Sequence, residues 1–289
     1  IDTVPENIRE VSPTVFIAVP RIWEKFYSSI TILMKDATFI GKYFYDISIK
    51  TGAKYKEYYI EGKQPPLMLK LSYRLCNYFV LKNIKKLLGL NKCRYALSGA
   101  APISPELINW YLSLGIDMRE GWGMTETAGV GTAFYSREIK LGHVGRAVNQ
   151  SEVRIADDGE ILFKGPGVFC GYLNKPEQTK ETLIDGWLHT GDVGEMDNYG
   201  NIKITDRKKD IIITTGGKNI SPSEIENELK FSPFVSDAVV IGDKRKFLSC
   251  LIMIDEENVM KYAQDNDTVS YTHLRAHETG RNRVCRLLV

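Results

Sequence analysis

The sequence predicts an α/β fold in which a large α/β domain with a β-rich subdomain precedes a smaller α+β unit. Three observations predict it. Up to Gly115, short apolar runs alternate with segments whose apolar residues recur every three or four positions. From Gly145 to Gly200 the pattern changes to short alternating strands separated by Asp-Gly, Gly-Pro-Gly and Asn-Tyr-Gly turns. From about Asp206, strand, helix and strand follow again.

In chain order, Val15–Val19 is a short strand closed by Pro20, and Ile22, Phe26, Ile30 and Leu33 then mark an amphipathic helix. Pro65-Pro66 interrupts the next region. A second helix is expected over 67–88, ending at Gly89, with a solvated basic face. Arg94–Leu97 is a strand that runs into Ser98-Gly99-Ala100-Ala101-Pro102, small residues that let the backbone approach a flat group or simply turn. Ser104 caps a helix with Pro105 at its first position. Beyond Asp206, Ile211–Ile213 is an apolar strand, Gly216-Gly217 a tight loop and Ser221–Glu224 a capping box. Val239–Ile241 and Leu248–Ile254 are further strands.

Composition bounds the function. The 289 residues, 43% hydrophobic and 26% charged, suffice for one large domain or two smaller ones with a sizeable core. No apolar run reaches the roughly 18 residues of a membrane span. The opening IDTVPENIRE carries neither an initiator Met nor a signal peptide, so the chain is expected to be a piece of something longer. Net charge is +2, but residues 269–289 carry +3 of it and leave −1 for the rest. That balance gives no argument for nucleic acid binding. Five scattered cysteines without CxxC spacing point away from a disulfide framework or a zinc site and fit a reducing cytoplasm.

Three segments carry chemistry. In Glu120-Gly121-Trp122-Gly123-Met124-Thr125-Glu126-Thr127 the glycines permit close approach and Trp122 offers a stacking face. Thr125 can donate to a phosphate, and Glu126 is a hard oxygen ligand for magnesium. The plain alternative is a glycine-rich turn with an exposed Glu. In Gly186–Asp192, Asp192 is either a turn residue or a carboxylate able to accept both ribose hydroxyls. Asp206-Arg207-Lys208-Lys209-Asp210 is either a solvated charge run or a hinge with a phosphate-facing Arg.

In this order and spacing, the three segments resemble the adenylate-forming (AMP-binding) superfamily, and within it the long-chain fatty acid–CoA ligases. Val19–Lys25 (VPRIWEK) is similar to a helix entrance of that branch. The match covers Ile1 to about Thr268. It implies a partial adenylate-forming fold: 1–205 as part of the large domain with its β-rich subdomain at about 145–205, 206–210 as hinge and 211–268 as an incomplete small domain. It implies that Ser98–Pro102 lines the adenine pocket, with Trp122 where the family usually has Tyr. Glu120–Thr125 belongs to the nucleotide site, Thr125 contacts the α-phosphate and Glu126 binds Mg2+. Asp192 holds the ribose, and Arg207 contacts the same nucleotide region. Lys209 is the hinge, Gly216 and Gly217 line the thiol's approach, and Gly129 and Val130 shape the acyl tunnel. The implied reaction converts a fatty acid and ATP to an acyl-adenylate, and CoA then displaces AMP. The partners are these small molecules, with no obligate protein partner. The implied site is cytoplasmic, with peripheral contact at the inner face of a membrane kept open. Ten aromatic residues within 39–79 could face such a surface, although core is the commoner place for them.

The sequence also departs from the family. An upstream Ser/Thr/Gly-rich phosphate loop and a downstream catalytic Lys are missing, so the chain as given is expected not to turn over. Residues 269–289 do not match the family and resemble translated sequencing adapter, so a non-native tail is expected. Two rivals stay open: loading of a carrier-protein thiol, and a non-catalytic nucleotide-binding fragment. A serine hydrolase built on Ser98, His189 and Asp192 fails because Ala96–Ala100 is not a G-x-S-x-G elbow. No G-x-G-x-x-G follows a strand, and Gly216-Gly217-Lys218 is not a Walker loop.

Overall fold

The computed structural model describes residues 3–135, 139–265 and 285–287. Internal contacts divide the chain into two compact units, Ile1–Ile204 and Thr205–Val289.

The first unit opens with α1 (Val4–Val11), β1 (Val15–Ala18) and α2 (Pro20–Lys35). Pro20 occupies the first turn, where its missing N–H costs nothing, and α2 buries Ile22, Trp23, Phe26 and Ile30. The Trp23 indole donates to the Ala18 carbonyl, and the Tyr111 hydroxyl donates to the Trp23 carbonyl at 2.7 Å. A helix that periodicity did not reveal, α3 (Phe39–Ile60), follows, with Thr38 Oγ1 accepting from the Gly41 N–H. It crosses close to the chain at Gly52, where a Cβ would overlap the Ser113 carbonyl. The helix expected over 67–88 is α4 (Leu67–Cys76), a π-helical turn at Asn77–Leu81 and α5 (Lys82–Leu87). The aromatic residues of this region divide evenly. Tyr45, Tyr55, Tyr58, Tyr59 and Tyr73 are half-buried, whereas Phe39, Tyr43, Phe44, Tyr78 and Phe79 are exposed. Core is therefore the wrong reading for half of them, because α3 and the π-helical turn each leave aromatic side chains facing solvent. Among the described residues, no helix is long and apolar enough to cross a membrane.

Next come β2 (Tyr95–Ser98), α6 (Pro105–Ser113) and β3 (Met118–Glu120). Strands β1, β2 and β3 form a parallel sheet in that order. Its register sets Ser98 beside Glu120 at the carboxyl ends of β2 and β3, the edge where open α/β sheets bind ligands.

The β-rich part contains β4 (Thr132–Ala133) paired with β5 (Arg146–Ala147), then β6 (Glu152–Ile155), β7 (Glu160–Lys164), α7 (Pro176–Thr182), β8 (Leu183–Ile184), β9 (Trp187–Met196) and β10 (Ile202–Arg207). The sheet order is β10-β9-β7-β6, with β8 beside β9. Trp122, Val144, Ile161, Phe163, Leu188 and Ile202 form its core.

The second unit holds β11 (Ile212–Ile213), β12 (Asn219–Ile220), α8 (Pro222–Lys230), β13 (Val235–Ile241), β14 (Ser249–Ile254), α9 (Glu256–Asp265) and β15 (Cys285–Leu287). Helix α8 packs on the antiparallel β13–β14 pair over Ile212, Ala238, Val240, Cys250 and Ile252. Two expectations change here. The apolar run at Ile211–Ile213 is a short hairpin strand whose Ile213 is half exposed, because only one of its faces meets the core. No side-chain cap closes at Ser221: its hydroxyl lies within donating distance of Asp206 and the Thr205 carbonyl, and Asp206 Oδ2 accepts from the Ser223 N–H in its place. In the tail, residues 285–287 pair with β14, while 269–284 and 288–289 lie outside the described residues.

Candidate nucleotide site

The site is built around the turn that leaves β3. Trp122 is tied to Thr132 by backbone hydrogen bonds in both directions, at 3.2 and 2.9 Å, which folds residues 123–131 into a closed loop. Gly123 is required there, because a Cβ would overlap the Gly129 carbonyl. Thr125–Thr127 make a single 3-10 turn, pinned by Thr127 Oγ1 accepting from the Met124 N–H. Thr125, Gly129 and Val130 are exposed at this loop, and Glu126 is half-buried.

Glu126 and Asp192, both expected from the sequence, each have a partner that the sequence did not reveal. The Tyr172 hydroxyl donates to Glu126 Oε1 at 2.7 Å, and the Phe169 N–H donates to the Glu126 carbonyl. Burial first, and this carboxylate second, push the Tyr172 phenol up. Asp192 Oδ2 accepts from the Trp122 indole N–H at 2.7 Å, and both residues are only 7% exposed. The ring pictured as an open stacking face is thus part of the subdomain core, edge-on to Phe163 at 6.0 Å.

A β-bulge aims Asp192. Pairing of β7 with β9 jumps from Leu162–His189 to Glu160–Val193, so residues 190–192 stand out of the ladder, with Gly191 at φ 74°. Three hydrogen bonds hold this bulge: Thr190 Oγ1 to the Ile161 carbonyl, the Asp192 N–H to Thr190 Oγ1, and the Gly191 N–H to Glu160 Oε1. Glu160 is itself buried and also meets His189 Nδ1 at 3.3 Å. Sequence reasoning missed Glu160 and Tyr172. An acidic residue next to an Asp-Gly turn and a Tyr 46 residues from Glu126 carry no local signal.

Beside this turn, Gly99 lies against the Gly121 carbonyl, and Ala100, Ala101 and Pro102 are exposed, with Ala100 at φ 69°. Ser98 Oγ is fully buried and has no hydrogen-bond partner among the described residues. Burial pushes the neighbouring Glu120 carboxyl up to about 8, with a backbone hydrogen bond from Ile103 pulling the other way. An orphaned hydroxyl beside an exposed small-residue loop suits a polar planar group. One half-buried carboxylate is what magnesium asks of a protein when phosphates and waters complete its octahedron. Among the described residues, no group of three or more His, Cys, Asp or Glu could hold a metal alone. The hydrolase pairing also fails in space, since His189 bonds Glu160 and Asp192 bonds Trp122.

The remaining expected residues lie in the second unit. Arg207 and Lys209 are exposed, at the end of β10 and in the turn after it. Only Asp206 of that run is buried, at 4% exposure, and it accepts from the Ser221 and Ser223 hydroxyls and the Arg207 N–H. Gly216 and Gly217 form the tip of the β11–β12 hairpin, where Gly217 takes φ 77°.

Comparison with known proteins fits this arrangement. Residues 209–275 match the AMP-binding enzyme C-terminal domain. The chain is 38% identical over 255 residues to the long-chain-fatty-acid–CoA ligase FadD15 of Mycobacterium bovis, an alignment spanning 88% of this chain and 42% of the relative. It is also 38% identical over 263 residues to the long-chain-fatty-acid–CoA ligase ACSBG2 of Xenopus laevis, spanning 86% of this chain and 34% of the relative. The chain thus spans less than half the length of these relatives. The adenylation domain of a Mycobacterium chelonae carboxylate reductase shares the fold at TM-score 0.59 and 21% identity, over 92% of this chain and 38% of that one. An ATP-bound RpMatB-BxBclM chimera matches at TM-score 0.53 and 30% identity, over 68% of this chain and 44% of that one. With residues 1–173 matching the AMP-binding enzyme family itself, the chain belongs to that family.

Proposed function

We propose that this chain is the nucleotide-binding part of a long-chain fatty acid–CoA ligase. In that reading, ATP activates a fatty acid to an acyl-adenylate with loss of diphosphate, and the thiol of CoA then displaces AMP. The observation that carries it is the buried Trp122–Asp192 pair meeting the Glu120–Thr127 turn, in a chain 38% identical to ligases of that name.

Asp192, aimed by its bulge, accepts the ribose hydroxyls. Ser98 and the 99–102 loop face the base, and Thr125 donates to the α-phosphate. A magnesium ion on Glu126 would offset phosphate charge as the carboxylate attacks, and Tyr172 holds that side chain in place. Gly129 and Val130 sit on the exposed side of the turn, where we assign the acyl group. Arg207 is assigned to the nucleotide, Lys209 to the hinge, and Gly216-Gly217 to the thiol's approach.

Calorimetric titration of the chain with a non-hydrolysable long-chain acyl-adenylate analogue tests the reading, with Asp192→Ala beside it. Binding that the substitution weakens by about tenfold or more is expected, the loss typical of a hydrogen bond to a charged group. Equal binding by both proteins, or none by either, refutes the site.

A further inference from the structure

Helix α4 and the π-helical turn after it are built inside out. Leu67, Met68, Leu71 and Leu75 recur at the three- and four-residue steps of a single helix face, and that face meets solvent, each side chain being at least 53% exposed. The π-helical turn then sends Tyr78 and Phe79 outward as well, at 68% and 66% exposure. On the opposite side the same stretch half-buries Lys70, Tyr73 and Asn77. An amphipathic helix that packs only on its own protein does the reverse. At the same spacing the row continues as the exposed Lys82 and Lys86, with the exposed Arg74 at its edge.

Charge says what would cover this row. Residues 39–87 hold ten Lys or Arg against Asp46, Glu57 and Glu61, a net +7 in a chain whose total is +2. Among the described residues, Arg74, Lys82 and Lys86 form no ion pair. An apolar row bordered by basic side chains matches a bilayer surface, where acyl chains take up the row and anionic headgroups the charges. Leu67–Leu81 is shorter than the roughly 20 residues of a membrane span, so it would lie along the surface rather than cross it. A second copy of the chain fits less well, because a two-fold contact sets Arg74, near the middle of the row, against its own copy.

We propose that the solvent face of α4 and the π-helical turn docks on an anionic lipid surface, with Arg74, Lys82 and Lys86 on the headgroups. This inference does not rest on the ligase reading, and its failure leaves that reading standing.

The test floats the full chain with vesicles of phosphatidylcholine alone and with vesicles in which a third of the lipid is phosphatidylglycerol, at low and at high salt. Binding to the anionic vesicles at low salt is expected to be about tenfold or more tighter than to the neutral ones, and to weaken at high salt. Leu71→Glu with Leu75→Glu should weaken it by at least about tenfold, since both apolar contacts are lost and two like charges added. Lys82→Glu with Lys86→Glu should cost about tenfold on the anionic vesicles alone. Phe247→Glu, at an exposed apolar residue of the second unit, should change nothing. No flotation, equal binding to both vesicles, or binding that the Leu71 and Leu75 substitutions leave intact overturns the proposal. An equal loss with Phe247→Glu does so too, since the attachment is then not specific to this face. Sedimentation without lipid supplies the last arm: a dimer that the Leu71 and Leu75 substitutions dissociate would show that a second copy covers the row, and the proposal falls. Should that pair fail to keep the helical circular dichroism of the unsubstituted chain, Tyr78→Ser with Phe79→Ser takes its place with the same expected loss.

Discussion

Asp192 and Asp206 are both buried carboxylates in glycine- or lysine-rich stretches, and the structure uses them in opposite ways. Asp192 is held by groups far away in sequence, Trp122 by its side chain and Ile161 and Glu160 through the bulge. Around it everything is fixed. Asp206 is saturated by Ser221, Ser223 and the Arg207 N–H, and the three residues after Arg207 are an exposed turn. A carboxylate at a helix N-terminus with two hydroxyl donors is a structural cap for α8, whereas the carboxylate aimed by a bulge is the one we propose as a binding group. The difference teaches that burial alone does not mark a ligand site. What surrounds the carboxylate does.

Four predictions would break or sharpen that contrast. The largest concerns the fixed region. Phe163→Ala removes a fully buried ring beside Trp122 and is expected to cost about 4 kcal/mol in chemical denaturation. A loss under about 1 kcal/mol would mean that the region is not rigidly packed. Glu120 provides a pH signature for the same region. Its folded pKa of about 8 lies above the ordinary 4.5, so between these values the folded chain holds a proton that the unfolded chain has released. Stability is therefore full below pH 4.5 and is lost as pH rises through 8, about 3.5 kcal/mol of it between pH 5 and pH 8. Glu120→Gln should flatten that slope in denaturation series from pH 5 to 8, and an unchanged slope would assign it to another group.

The other two address the second region. Asp206→Ala removes the acceptor of the Ser223 hydroxyl and the Arg207 N–H, leaves the Ser221 hydroxyl only the Thr205 carbonyl, and should destabilise the second unit by about 2 kcal/mol. Amide exchange in α8 should speed up while that in β9 stays slow, and exchange that speeds up equally in both would erase the contrast. Lys209→Ala should shift stability by less than about 0.5 kcal/mol, as expected for an exposed turn. A larger loss in thermal unfolding would show that this turn is fixed after all.

Much of this was readable along the chain because it is local. Pro20 and Pro105 mark helix starts, Ser104 caps α6 with its hydroxyl accepting from the Leu107 N–H, and Gly89 and Gly115 stand where helices end. The order of the Glu120–Thr127, Gly186–Asp192 and Asp206–Asp210 segments was enough to suggest the family. Helix α3 escaped notice because its apolar residues are spread around the barrel, with aromatic side chains on both the packed and the exposed faces. The capping box at Ser221 was misread because a distant carboxylate, Asp206, accepts from the Ser223 N–H at the start of α8 in place of the Ser221 hydroxyl.

The sequence by itself determined residue types, turn positions and the spacing of the three segments, since glycine, proline and capping residues act within a few positions. Only the tertiary structure decided that Trp122 is buried, that its indole rather than another donor meets Asp192, and that Tyr172 and Glu160 support the two acidic groups. Those contacts join residues 31 to 70 positions apart. A hydrogen bond at that separation exists only once a sheet, its bulge and its core have placed both ends.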